Sequence, residues 1–308
     1  MVENFEIKTE KKRKTPERLE VYFEALDNLL KQISREINKE AREYREDEQG
    51  LVDEDCRIKM EAFIGVHSED KIKRDNQYIE DQNKRFAPNS QLESVQTYYK
   101  TDAPDEILQK WQENKKKSDG SLMEMAVNSV FYKILKDKFL VVRASTYDDY
   151  HNGVDNILVD KESGQVICAF DEIRVGPFES DKKNLEKKFA KIKSKLEKGG
   201  TKLDYGLTFV KDEETDKIKL EKRAIENLPI FWLALSKEDL GQLLLNMNYD
   251  LEVEPNEVEK EIFDKLIFLI EKQKDILTTT RVKDELKENL EGVDDVLTKI
   301  KSIRKKLK

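Results

Sequence analysis

Two apolar runs carry charged residues at ends that a hairpin would bring together. Asp155 stands immediately before "NILV", and "QVICAF" runs out into Asp171, Glu172 and Arg174. The turn-like "DKESG" joins the runs, so they read as a tight antiparallel pair. Period-2 alternation puts Val166, Cys168, Phe170, Glu172 and Arg174 on one face of the second strand, and Ile167, Ala169, Asp171 and Ile173 on the other. The start of the first strand then lies beside the end of the second, and Asp155 comes close to Asp171 and Glu172. Gathered carboxylates repel one another unless a cation sits between them. Hard oxygen ligands of this kind suit Mg²⁺ or Mn²⁺.

The elements that must position these groups can be read from periodicity. Thr15 and Pro16 suit the start of a long helix, with Leu19, Leu26, Leu29, Leu30, Ile33, Ile37 and Ala41 along one stripe. Such a stripe needs a partner helix. Residues 50–118 read as weakly helical, and "NKKKSDGS" as a linker. "SLMEMAVNSVFYKILKDK" follows as a helix. "FLVVRA", "NILV" and "QVICAF" are strands, and 181–200 is a Lys-rich helix. "LTFVK" and "KIKLEK" form a hairpin, "LPIFWLAL" is a strand buried on both faces, and "SKEDLGQLLLNM" is a helix capped by Ser236. The chain beyond 251 reads as a helical hairpin with a near-heptad seam. The expected organisation is a helical region over 1–118, a mixed α/β domain over 119–250 and a helical hairpin over 251–308.

The αβββα(ββ)βα order, with "GVDNILV" and "FDEIR" at these places, resembles the PD-(D/E)xK nuclease superfamily over about 120 to 240. The resemblance implies a restriction-endonuclease-like αβββαβ core with long helical extensions at both ends. It implies Asp155 and Glu172 as Mg²⁺ or Mn²⁺ ligands, with Asp171 and with Glu124 from "SLMEMAV" as further ligands. The family's Lys position holds Arg174, which stays protonated and cannot act as a base. Lys182 or Lys183 on the following helix would supply the Lys, and Arg174 would stabilise developing charge. The implied activity is metal-dependent phosphodiester hydrolysis on DNA or RNA. The rival expectation is a catalytically inactive scaffold that works through its long helices, by self-association or with a protein partner.

Each residue also has a plainer reading. Ser121 and Glu124 in "SLME" make a capping box. Asp148, Asp149, His151 and Asn152 in "TYDDYHNG" favour a turn whatever else they do. Glu172 and Arg174 can be a surface pair. His67 and His151 have no sequence partners that would build a Ser-His-Asp site, and no phosphate-cradling glycine motif is present.

Composition bounds the rest. The 308 residues are 37% apolar and 40% charged, with net charge −8. An acidic whole argues against a protein that coats nucleic acid. The nine Lys between Lys182 and Lys202 and the six basic residues of "KIKSIRKKLK" still permit a phosphate-contacting face. No apolar run approaches the ~18 residues of a membrane span, and "MVENFEIKTEKKRK" lacks a signal-peptide core. Two distant cysteines, Cys56 and Cys168, suggest a reduced, cytoplasmic protein without a disulfide framework.

Overall fold

The computed structural model describes residues 18–45, 49–175, 187, 190, 192–278 and 284–307; of 167–175, 285 and 288 it describes the backbone only. The protein is a mixed α+β fold with helical N- and C-terminal parts. Helix α1 (Phe23–Glu43) follows a short 3₁₀ turn, and the predicted start at Thr15 and Pro16 lies outside the described residues. Leu26, Leu29, Leu30, Ile33, Ile37 and Ala41 are all buried along one side of α1. The partner this stripe required is α5 (Asp119–Leu135) of the same chain. Burying a Leu contributes about 1.5–3 kcal/mol, and an unpaired buried carboxylate costs more. Leu30→Asp is therefore expected to destabilise the fold by about 3 kcal/mol or more. A urea midpoint equal to wild type would show that the stripe is not a core element.

Between them, α2 (Glu69–Phe86) is capped by Ser68, α3 (Glu93–Tyr99) is short, and α4 (Pro104–Lys116) carries Pro at its first position. The predicted linker is a tight corner from α4 into α5. Ser118 caps α5, its side chain accepting from the Ser121 amide. The cap is thus Ser118 rather than Ser121, and Glu124 stands too far into the helix for the expected capping box. From Leu122 onward α5 is buried almost all round, which makes it the central helix.

A four-stranded sheet packs on α5 in the order β1 (Phe139–Arg143), β2 (Asn156–Asp160), β3 (Val166–Val175), β6 (Ile230–Ser236). β1–β2 and β2–β3 are antiparallel, as a hairpin through "DKESG" requires, and β3–β6 is parallel. Gly164 closes the β2–β3 turn at φ +71, where an added Cβ would lie 1.5 Å from the Phe209 carbonyl oxygen. Only glycine meets both conditions. The second sheet is the hairpin β4 (Thr201–Lys211) and β5 (Ile218–Leu228), longer than "LTFVK" and "KIKLEK" alone. Ser236 caps α6 (Lys237–Asn246) as expected. Helices α7 (Glu257–Thr278) and α8 (Asp284–Lys306) pack on each other; α7 also covers β6, and α8 covers β3 and β5. No described helix is long and apolar enough to cross a membrane.

Candidate metal centre

Three acidic side chains converge where α5, the exit of β1 and the entry to β2 meet. Glu124, Asp149 and Asp155 each offer a carboxylate oxygen, and these oxygens all lie within 4.8 Å of one another. An octahedral Mg²⁺ with ligands about 2.1 Å away spans about 4.2 Å between opposite oxygens. The spacing therefore fits one small divalent ion after a slight closing of the side chains. The partly buried acidic triad is a candidate metal centre.

Local structure explains each position. Glu124 follows the Ser118 cap within the first turns of α5, at the exposed end of an otherwise buried helix. Asp149 lies in a π-helical turn, Asp148–Asn152, whose geometry is set by its neighbour. The fully buried Asp148 carboxylate accepts from Asn152 Nδ2 at 2.7 Å and Ser145 Oγ at 2.8 Å. It also accepts from the Asp204 and Tyr205 amides of β4 at 2.8 and 3.1 Å. That pins the turn to the second sheet and holds Asp149 toward the cleft. Asp155 is fixed from the other side: the Ala144 amide donates to its carbonyl at 2.9 Å.

Two arginines balance the carboxylates. Arg143, at the end of β1, donates from Nη2 to Glu124 Oε2 at 2.7 Å. Its Nε is buried without a hydrogen-bond partner. Arg57 comes from an N-terminal strap that pairs with the end of β1, the Arg143 amide donating to the Cys56 carbonyl at 2.9 Å and the Ile58 amide to the Arg143 carbonyl at 3.0 Å. Arg57 Nη2 lies 3.3 Å from Glu124 Oε2 and 3.1 Å from Asp149 Oδ2. Burial works against the Arg57 charge, yet Asp149, Glu124 and Asp155 outweigh it and hold the guanidinium above its ordinary range. Burial, chiefly, raises the Glu124 carboxyl; Arg143 and Arg57 oppose that rise and Asp149 adds to it.

The direction of the Glu124 shift fixes a pH dependence. A metal needs the carboxylate, and a raised value means that protons compete at higher pH than for an ordinary glutamate. Metal affinity is expected to be full well above that value and to fall as pH falls through it, starting above the usual carboxylate range. The metal-free protein has the opposite sign. Glu124 and Asp148, the latter also raised chiefly by burial, bind protons more tightly when folded. Their contribution to stability is present at low pH and lost as pH rises from the ordinary carboxylate range through the raised values. Calorimetric metal titrations at several pH values, paired with metal-free melts, check both signs. Affinity independent of pH down to the ordinary Glu range would contradict the first.

Glu124 and Asp149 open onto a cleft of about 520 Å³ that Arg57, Arg143, Lys115 and Lys116 also line. Asp155 sits deeper, 8% exposed. Lys115 Nζ donates to Tyr150 Oη at 2.7 Å and lies over the Tyr150 ring. Lys116 reaches Asp55 at 3.6 Å and remains largely exposed.

Of the residues singled out from sequence, the structure brings Glu124 and Asp155 together. Asn156 pairs with Phe170, so the next backbone positions outward on the two strands are Asp155 and Asp171. Glu172 and Arg174 pair through the backbone with Leu233 and Leu235 of β6. The side chains of Asp171, Glu172 and Arg174, and the whole of Lys182 and Lys183, lie outside the described residues. Asp149, Arg57 and Arg143 were not foreseen at the site. The signal for Asp149 was the Asp pair in "TYDDYHNG", read only as turn chemistry. Among family models, curated proteins and solved structures, none matches this chain.

Proposed function

We propose that the protein is a metal-dependent hydrolase of phosphodiester bonds in DNA or RNA. The observation that carries the reading is the triad of Glu124, Asp149 and Asp155, within 4.8 Å of one another, at a cleft that also presents Lys115 and Lys116. The strand order β1-β2-β3-β6 beside α5 is compatible with the αβββ part of the core that the resemblance to PD-(D/E)xK nucleases implies; the helix expected after β3 lies mostly outside the described residues.

In this reading the three carboxylates hold Mg²⁺ or Mn²⁺, with Asp171 and Glu172 on β3 as further ligands. A bound divalent ion supplies an acidified water and neutralises charge on the attacked phosphodiester. The chain's own residues do the rest. Arg143 holds the Glu124 carboxylate in place. Lys115, oriented by Tyr150, and Lys116 present ammonium groups to phosphate oxygens along the cleft. Arg174 and Lys182 are the proposed stabilisers of developing charge, and the Lys-rich segment over 182–202 the proposed backbone contact.

A second reading is favoured by one observation. Arg57 already lies between Glu124 and Asp149, so a guanidinium could be the permanent cation of an inactive, nuclease-like scaffold. Incubation of labelled single- and double-stranded DNA and RNA with purified protein, with Mg²⁺, Mn²⁺ or a chelator, separates the two. Cleavage that requires metal supports the hydrolase. No cleavage of any substrate with either metal supports the scaffold.

A further inference from the structure

Arg57 is placed as no other cation near the triad is. Its Nη2 contacts Glu124 Oε2 at 3.3 Å and Asp149 Oδ2 at 3.1 Å, bridging two of the three carboxylates. Glu124 Oε2 also accepts from Arg143 at 2.7 Å, so two donors already occupy it. A divalent ion bound about 2 Å from these oxygens would sit about 4–5 Å from the Arg57 guanidinium. Such an ion would add two positive charges where Arg57 and Arg143 already contact Glu124 Oε2, in a cleft that Asp53 and Asp55 also line. A guanidinium that holds the oxygens the ion needs competes with it for them.

Arg143 is the worse candidate, being 3% exposed at the end of a buried strand. Arg57 has a way out. Its backbone is held by the strap, the amide donating to Asp53 Oδ1 at 2.9 Å. Its side chain lines the same cleft of about 520 Å³, which has room for a guanidinium that swings away. The other tie that would resist this is one bond from Nη1 to the Ala144 carbonyl at 3.3 Å.

We infer that Arg57 is a built-in counter-cation that competes with a divalent ion for Glu124 and Asp149, so that the N-terminal strap sets how tightly the centre holds metal. This rests on the metal-centre reading above. It assigns Arg57 a role opposite to that of a positioning residue, whose loss would weaken metal binding.

The test is calorimetric titration of Mn²⁺ into wild type, Arg57→Gln, Arg57→Lys and the double variant Arg57→Gln/Asp155→Asn. Arg57→Gln is expected to bind about tenfold more tightly or better. Arg57→Lys, whose shorter side chain holds its charge further from the two carboxylates, is expected to fall between, and the double variant to lose the gain. Equal or weaker binding by Arg57→Gln, no binding by any protein, or a gain that survives loss of Asp155 would each overturn the inference. If Arg57→Gln does not fold, Arg57→Lys decides alone: tighter binding than wild type supports the inference, and equal or weaker binding overturns it. Tighter binding without cleavage of any nucleic acid leaves the inference standing and removes the hydrolase reading. Equal binding with metal-dependent cleavage does the reverse.

Discussion

Asp155→Asn is expected to reduce metal-dependent cleavage by at least about 100-fold while leaving the protein folded. Loss of a residue that only orients a metal ligand typically costs 10–100-fold in affinity or activity, and loss of a ligand charge costs more. Asparagine keeps the shape of aspartate. Arg57 and Arg143 keep their contacts with Glu124 and Asp149. Millimolar Mg²⁺ or Mn²⁺ is expected to raise the melting temperature of wild type, because binding to the native state stabilises it, and the same variant is expected to lose that rise. Glu124→Gln and Asp149→Asn are expected to lose cleavage and the metal-dependent rise alike, Glu124→Gln at an added cost in stability because the buried Arg143 loses that carboxylate. Cleavage at wild-type rates by all three variants would move the active centre elsewhere. Unfolding of all three would make the carboxylates structural.

Glu259→Ala is expected to cost about 3–5 kcal/mol of stability, the range for removing one partner of a buried ion pair. Lys133 on α5 and Glu259 on α7 meet at 2.7 Å with side chains only 2% and 0% exposed. Lys133 also donates to the Asn248 carbonyl at 3.0 Å, but that bond does not neutralise its charge. Glu259 has a second task. Its Oε2 accepts from the Asn256 amide at 2.9 Å, while Asn256 Oδ1 accepts from the Glu259 amide at 3.1 Å, a reciprocal cap on the start of α7. Alanine removes both. Replacing the pair together, Lys133→Met with Glu259→Leu, is expected to recover most of the loss apart from the cap, because no charge is then left buried. Urea unfolding of Lys133→Met, Glu259→Leu and the double variant measures this as a coupling free energy. A Glu259→Ala cost under about 1 kcal/mol, or a double variant as unstable as the worse single, would contradict it.

What could be read in advance tracks how local the physics is. The α1 stripe was legible because Leu26, Leu30 and Ile33 recur at helical spacing, and burial followed. β6 was legible as a strand because "LPIFWLAL" is apolar throughout, but the burial on both faces that the run suggested is not met: β6 is an edge strand of the described sheet, and Trp232 and Ala234 on its second face are only half-buried. Asp155 and Glu124 were reachable because each sits at the boundary of an element with clear periodicity. Asp149 was not. It is aimed by a π-helical turn, and that turn is held by amides of Asp204 and Tyr205, more than fifty positions downstream. Arg57 was less legible still. It reaches the site through a strap that pairs with the end of β1, and nothing in "DEDCRIKM" marks it as anything but a surface charge. The cation expected between the carboxylates was a metal; the one the fold itself supplies is a guanidinium.

The central claim is that Glu124, Asp149 and Asp155 hold one divalent ion. Electron paramagnetic resonance of Mn²⁺ titrated into wild type and Asp155→Asn tests it most directly, because free and carboxylate-bound ions give distinct signals. The account predicts one saturable bound ion per chain in wild type at millimolar Mn²⁺, lost or weakened at least about 100-fold in the variant. Indistinguishable binding by the two proteins, or only the free-ion signal in both, would contradict it.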